Sequence, residues 1–171
     1  CFTTTALTSK IWLIYEDENG EWQGKAVADI GDPAKVPLPV DISITSDDQG
    51  LWVNTFMDGN ARYFDISDPF NPVQKYGEEI GGQVNMISQS WDGKRAYFST
   101  SLLGNWDKDS NGEMQWVKLY EWDDEKLELS HKWTVDFYKE KLGRAHQMRF
   151  GAYSLYSSKT DNKKEVTLLD K

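Results

Sequence analysis

Apolar and polar side chains alternate with a period of two along most of this chain, and short polar turns cut the alternation at regular intervals. Residues 2–7, 10–16 and 21–30 form one trio of predicted strands, and residues 40–46, 51–57 and 61–66 form a second. A third group covers 84–90, 95–101, 114–121 and 128–136, and a last one covers 145–150, 152–157 and 165–170. The breaks carry turn chemistry. Asn19-Gly20 follows Asp17-Glu18, Asp47-Asp48-Gln49-Gly50 precedes the strand at 51, and Asp58-Gly59, Asp92-Gly93 and Asp123-Asp124 mark others. Asn-Gly and Asp-Gly tolerate the positive φ angles of tight hairpin loops. No long stretch shows the helical period, so the expected class is all-β.

One turn and its flanking strands occur twice. The segment from Ile44 to Thr55 resembles the segment from Ser88 to Ser99, with Ser46 matched to Ser90 and Asp48 to Asp92, 44 residues apart. A repeat of roughly 40–50 residues holding four strands is the pattern of β-propeller blades. The expected architecture is one domain made of part of a seven-bladed ring. Its blades fall at about 1–35, 36–80 and 81–140, with a partial blade at 141–171. Three to four blades do not close such a ring, so the rest is expected from sequence outside this chain. The chain opens on Cys1-Phe2-Thr3, which reads as mid-strand and suggests that the natural protein extends upstream. An antiparallel sandwich with a fortuitous repeat is the alternative.

Composition narrows the functional classes. With 39% hydrophobic and 27% charged residues the chain suits a packed globular core. The formal net charge of −9 and the scattered basic residues argue against nucleic acid and against an anionic membrane surface as partners. No segment approaches the ~20 apolar residues of a membrane span. The single cysteine, Cys1, rules out an internal disulfide and a cysteine zinc site. Eight tryptophans are spread through the three full predicted blades, which favours packing between blades over a sugar-binding platform.

Few residues offer chemistry. There is no G-x-S-x-G elbow, no phosphate-cradling glycine loop and no histidine partner identifiable for Cys1, so catalytic residues are unassigned and no organic cofactor site is expected. Of the two histidines, His131 lies in an amphipathic outer strand and reads as a half-exposed strand residue. His146, in Gly143-Arg144-Ala145-His146, falls where a new blade begins its innermost strand and faces the central channel. A neutral imidazole there is a candidate copper or zinc ligand, although one histidine cannot hold a metal tightly. The run Asp107-Lys108-Asp109-Ser110-Asn111-Gly112-Glu113 matches the opening of a calcium loop, with Asp107, Asp109, Asn111 and the Glu113 carbonyl as ligands. Lys118 stands where an EF-hand has its bidentate Glu, so an ordinary polar hairpin is the competing reading.

These residues also form a familiar ordered set. Tyr63-Phe64-Asp65-Ile66-Ser67-Asp68-Pro69, then Asp92-Gly93-Lys94-Arg95 with Tyr97, Thr100-Ser101-Leu102 and Trp106-Asp107-Lys108, then Asp136-Phe137, Leu142-Gly143 and Ala145-His146 with Arg149, resemble segments of the selenium-binding protein / methanethiol oxidase family. The resemblance covers most of residues 1–150 and roughly the second half of a family member. Departures are Gln147, where the family usually has Glu, and the tail from Gly151 to Lys171. The resemblance implies a seven-bladed propeller and a copper-dependent, periplasmic methanethiol oxidase that takes a small thiol and oxygen. It places His146 on a family histidine and makes it the expected copper ligand, with the other ligands and a redox cysteine in the absent N-terminal half. A non-enzymatic selenium-binding scaffold, a calcium-dependent lactonase-type hydrolase, a cytoplasmic location and a homo-oligomeric state remain open alternatives.

Overall fold

Every residue of the strand Gly50–Thr55 is buried, because it lies in a sheet covered on both faces. The computed structural model describes residues 1–100 and 115–149. Among these the chain forms three antiparallel sheets. The first contains β1 (Phe2–Thr5), β2 (Lys10–Glu16) and β3 (Trp22–Asp29). A short 3-10 turn at Pro33–Lys35, capped by the Asp32 carboxylate accepting from Ala34 N, leads into the second. That sheet is β4 (Pro39–Ile44), β5 (Gly50–Thr55), β6 (Asn60–Asp65) and β7 (Val73–Glu79), in spatial order. The third is β8 (Met86–Gln89), β9 (Arg95–Ser99), β10 (Trp116–Asp123) and β11 (Glu128–Asp136), also in order. No helix among the described residues is long and apolar enough to cross a membrane.

Strand alternation assigns each face of the middle sheet to a neighbour. Leu51, Val53 and Phe64 pack with Ile11 and Ile30 of the first sheet and its linker. Trp52 and Ala61 point the other way and pack with Ile87, Ala96, Phe98 and Trp122 of the third. Trp52 is the hub, with ring centroids 4.8 Å from Trp122, 5.1 Å from Tyr63 and 6.1 Å from Phe98, all tilted towards edge-to-face. Edge-to-face packing sets the positive rim of one ring against the negative face of another.

The repeat seen in the sequence is real, but its register is 45 residues, not 44. Thr45 N donates to Gly50 O, as Ser90 N donates to Arg95 O. Gly50 N donates to the Thr45 hydroxyl at 2.8 Å, and Arg95 N to the Ser90 hydroxyl at 3.0 Å. Each hydroxyl donates to a turn carboxylate, Asp47 and Asp92 respectively, at 2.5 Å. The left-handed residue of each turn is Asp48 (φ 59°) or Gly93 (φ 70°). Matching serine to serine therefore shifts the alignment by one, because threonine plays the same hydroxyl role in the first copy.

A second hydrogen bond recurs in all three sheets. Ile30 N donates to Ser9 O, Ile80 N to Gly59 O and Phe137 N to Gln115 O, each at 2.8 Å. This correspondence makes β1, β2 and β3 the equivalents of β5, β6 and β7. The first sheet thus shows the outer three strand positions, with the free edge of β1 where the middle sheet has β4.

Two expectations change. β7 was missed by hydrophobic patterning because it is an edge strand: six of its seven residues are exposed, so it has no apolar phase. Residues 145–149, expected to be strand, belong to no strand.

Gly50 illustrates how tightly the turn packs. A Cβ there would stand 2.0 Å from the Tyr63 hydroxyl oxygen and 2.4 Å from its ring carbon Cζ. Making room would push Tyr63 off Trp52 and Trp122. Gly50→Ala is expected to lower stability by about 1–3 kcal/mol, as overpacking does; urea unfolding of the variant beside wild type checks it.

Candidate functional site

The edge strands β4 and β8 each pair on one side only among the described residues, β4 with β5 and β8 with β9. Their other edges are stitched together by side chains. Ile87 N donates to Asp41 Oδ2 at 3.0 Å, and Gln89 Nε2 donates to Ser43 Oγ at 2.7 Å and to Ile44 O at 2.8 Å. The same device holds the next segment. Ser88 Oγ donates to Met148 O at 2.5 Å, and Ser99 Oγ donates to His146 O. Side-chain hydroxyls thus reach the carbonyls of His146 and Met148, where a strand neighbour would use backbone N–H groups.

Between β4, β8 and this segment lies a groove of about 410 Å³. Ile42, Ile44, Trp91 and Met148 give it apolar walls. Among the described residues, Asp41 and Arg149 are the charged ones that line it, and they carry opposite signs. Half-burial pushes the Asp41 carboxyl above the usual carboxylate range; the N–H groups of Ile87 and Ile42 and the positive fields of Arg149 and His146 pull the other way without overcoming it. Asp41 escaped the sequence reading because it sits in the polar phase of Pro39–Ile44, which in an ordinary half-exposed strand faces water. Its one sequence signal is an acid inside a short strand of otherwise apolar and hydroxyl residues.

The predicted site residues fare differently. His146 is exposed, next to the buried Ala145. His131 lies on β11, far along the sheet from the inner strands, with Nε2 2.9 Å from Thr134 Oγ1 and its ring against Tyr120. Cys1 is exposed and free. Asp107, Asp109, Asn111 and Glu113 lie outside the described residues. No group of three or more His, Cys, Asp or Glu side chains among the described residues could hold a metal ion. One imidazole and one carboxylate are too few donors for a tight copper site, so this part of the chain does not make one alone.

The raised Asp41 ionisation has a definite sign. The folded carboxyl binds its proton more tightly than the unfolded one, so its contribution to stability is fully present below pH 3.8 and is lost as the pH rises through the folded value. The stability of Asp41→Asn relative to wild type should therefore increase as pH rises above 3.8, measured by urea unfolding across that range.

Comparison with known proteins agrees with this architecture. Residues 1–154 match the 56 kDa selenium binding protein family (SBP56). A methanethiol oxidase from Ruegeria pomeroyi is 64% identical over 157 residues, covering 92% of this chain and 36% of that protein. A methanethiol oxidase from Hyphomicrobium sp. is 58% identical over 151 residues, covering 88% of this chain and 34% of its own length. The chain thus spans about a third of the length of these relatives. Among solved structures, a hypothetical selenium-binding protein from Sulfolobus tokodaii aligns with a TM-score of 0.64 and 27% identity, over 77% of this chain and 36% of that one. With a family match running through nearly all of the sequence, the chain belongs to the 56 kDa selenium-binding protein family.

Proposed function

We propose that this chain is part of a methanethiol oxidase, and that its three sheets are neighbouring blades of a β-propeller. The observation that carries the activity is the 64% identity to a methanethiol oxidase over 92% of the chain. The propeller reading rests on the recurring hydrogen-bond pattern of the sheets and on β4 lying against both β1 and β8. Such an enzyme converts methanethiol, oxygen and water to formaldehyde, hydrogen sulfide and hydrogen peroxide.

The groove suits the substrate. Ile42, Ile44, Trp91 and Met148 offer an apolar surface to a methyl group, and the Arg149 guanidinium favours the thiolate over the thiol. Copper would supply the one-electron chemistry that links a thiol to oxygen, and His146 would be the ligand this chain provides. The remaining ligands come from outside the described residues, in the rest of the same protein, which is therefore an obligatory partner. Periplasmic residence is part of the same proposal and rests on the family resemblance.

The test is made on the full-length protein. Wild type should contain copper and consume methanethiol with release of hydrogen peroxide, and His146→Ala should lose most of the copper and of the turnover. Unchanged copper and turnover in the variant would remove His146 from the site. A wild-type protein without copper or turnover would favour a binding scaffold instead.

A further inference from the structure

Two asparagines are buried where no polar group answers them. Asn54 on β5 and Asn85, just before β8, are both 0% exposed. Among the described residues, neither the Nδ2 nor the Oδ1 atom of either side chain has a hydrogen-bond partner. Gln89 differs: its Oε1 is also buried without a partner, but its Nε2 is held by Ser43 and Ile44. A carboxamide that leaves water and finds no partner loses its hydrogen bonds without return, so native interiors satisfy such groups with protein or with ordered water.

Register puts the two amides in one place. Asn54 shares the strand phase of Trp52, which faces the third sheet. It pairs across the ladder with Asp41, and Asp41 Oδ2 accepts from Ile87 N of the third sheet. Asn85 shares the phase of Ile87, which faces the middle sheet. The seam between β4 and β8 runs parallel with a constant offset of 46 residues, Asp41 to Ile87 and Ser43 to Gln89. The same offset sets Asn85 beside Pro39, and Pro39 is paired with Thr55, the neighbour of Asn54. Pro39 has no N–H to offer the Asn85 carbonyl. Both side chains therefore enter the gap between the middle and third sheets, at the end of the seam next to Asp41.

We propose that Asn54 and Asn85 form a buried water site: at least one ordered water, bonded to both carboxamides, sits between the two sheets behind the Asp41–Ile87 bond. Each carboxamide offers a donor group and an acceptor, which suits a water that donates to one and accepts from the other. A buried water makes about three hydrogen bonds, and the two amides supply enough partners for that. A metal ion would use the two Oδ1 atoms and leave both Nδ2 groups unpaired. Both asparagines are enclosed by the chain itself, so the occupant is solvent and not a segment of the rest of the protein. Such a water joins the sheets from within, as the side-chain bonds of the seam do at its edge. The site is independent of the oxidase reading.

A crystal structure of the full-length protein, at a resolution that shows solvent, is the direct test. The expected result is a fully buried water within hydrogen-bond distance of both Asn54 and Asn85. Carboxamides bonded to each other or to other protein groups with no shared water, or a metal ion at that point, overturn the proposal. Urea unfolding of full-length variants reads the same site in solution. Asn54→Ala and Asn85→Ala should each lower the unfolding midpoint. The double variant should lower it by less than the two single shifts combined, because the second change finds the shared water already lost. Additive shifts, or a midpoint raised by either single variant, mean that the amides are satisfied separately or not at all, and also overturn the proposal. The wild-type crystal structure decides the matter even where a variant does not fold.

Discussion

The structure depends on how the inner edges of the sheets are satisfied. A strand with a neighbour on one side leaves a row of N–H and C=O groups unpaired on the other, and burying them unpaired is costly. Here side chains replace the missing strand. Asp41 takes the N–H of Ile87, Gln89 gives to Ser43 and to the Ile44 carbonyl, and Ser88 and Ser99 give to the carbonyls of Met148 and His146. Each bond crosses from one sheet, or its following segment, to the next. The sheets therefore stay separate ladders, yet their inner edges are held together.

This arrangement half-buries polar residues between two sheets, and one of them faces a groove. An acid used only as a hydrogen-bond acceptor would serve as well if neutral. Asp41 instead faces a groove whose other charged lining residue, among those described, is Arg149. The seam and the candidate site are thus the same set of atoms seen from two sides. Further from the inner edge, apolar packing takes over. Trp52 gathers rings from its own sheet and from the third, so adjacent sheets are pinned at one end by hydrogen bonds and across their faces by aromatic contact.

Family membership and geometry support different parts of the functional reading. Similarity to methanethiol oxidases carries the proposed reaction and the Ala145-His146 motif carries the proposed ligand, but the chain spans only about a third of those relatives. The described residues bring one carboxylate, Asp41, and one guanidinium, Arg149, to the same groove. That is enough to shape a groove, and too little to bind copper tightly.

Local chemistry alone determined a good deal. Period-two alternation and Asx-Gly turns revealed the all-β class and nearly every buried strand, because those signals are set by neighbours in sequence. The exposed edge strand Val73–Glu79 was invisible for the same reason: with neither face buried, it has no apolar phase to detect. Residue matching located the repeated turn but slipped by one, since only the hydrogen bonds show Thr45 in the role of Ser90. The motif around His146 was legible; its lack of a strand ladder and its company were not. Asp41 and Arg149 stand more than a hundred positions apart, and no spacing rule connects them. Tertiary packing decided that pairing, because it alone determines which polar phase of an inner strand turns to water and which turns to the next sheet.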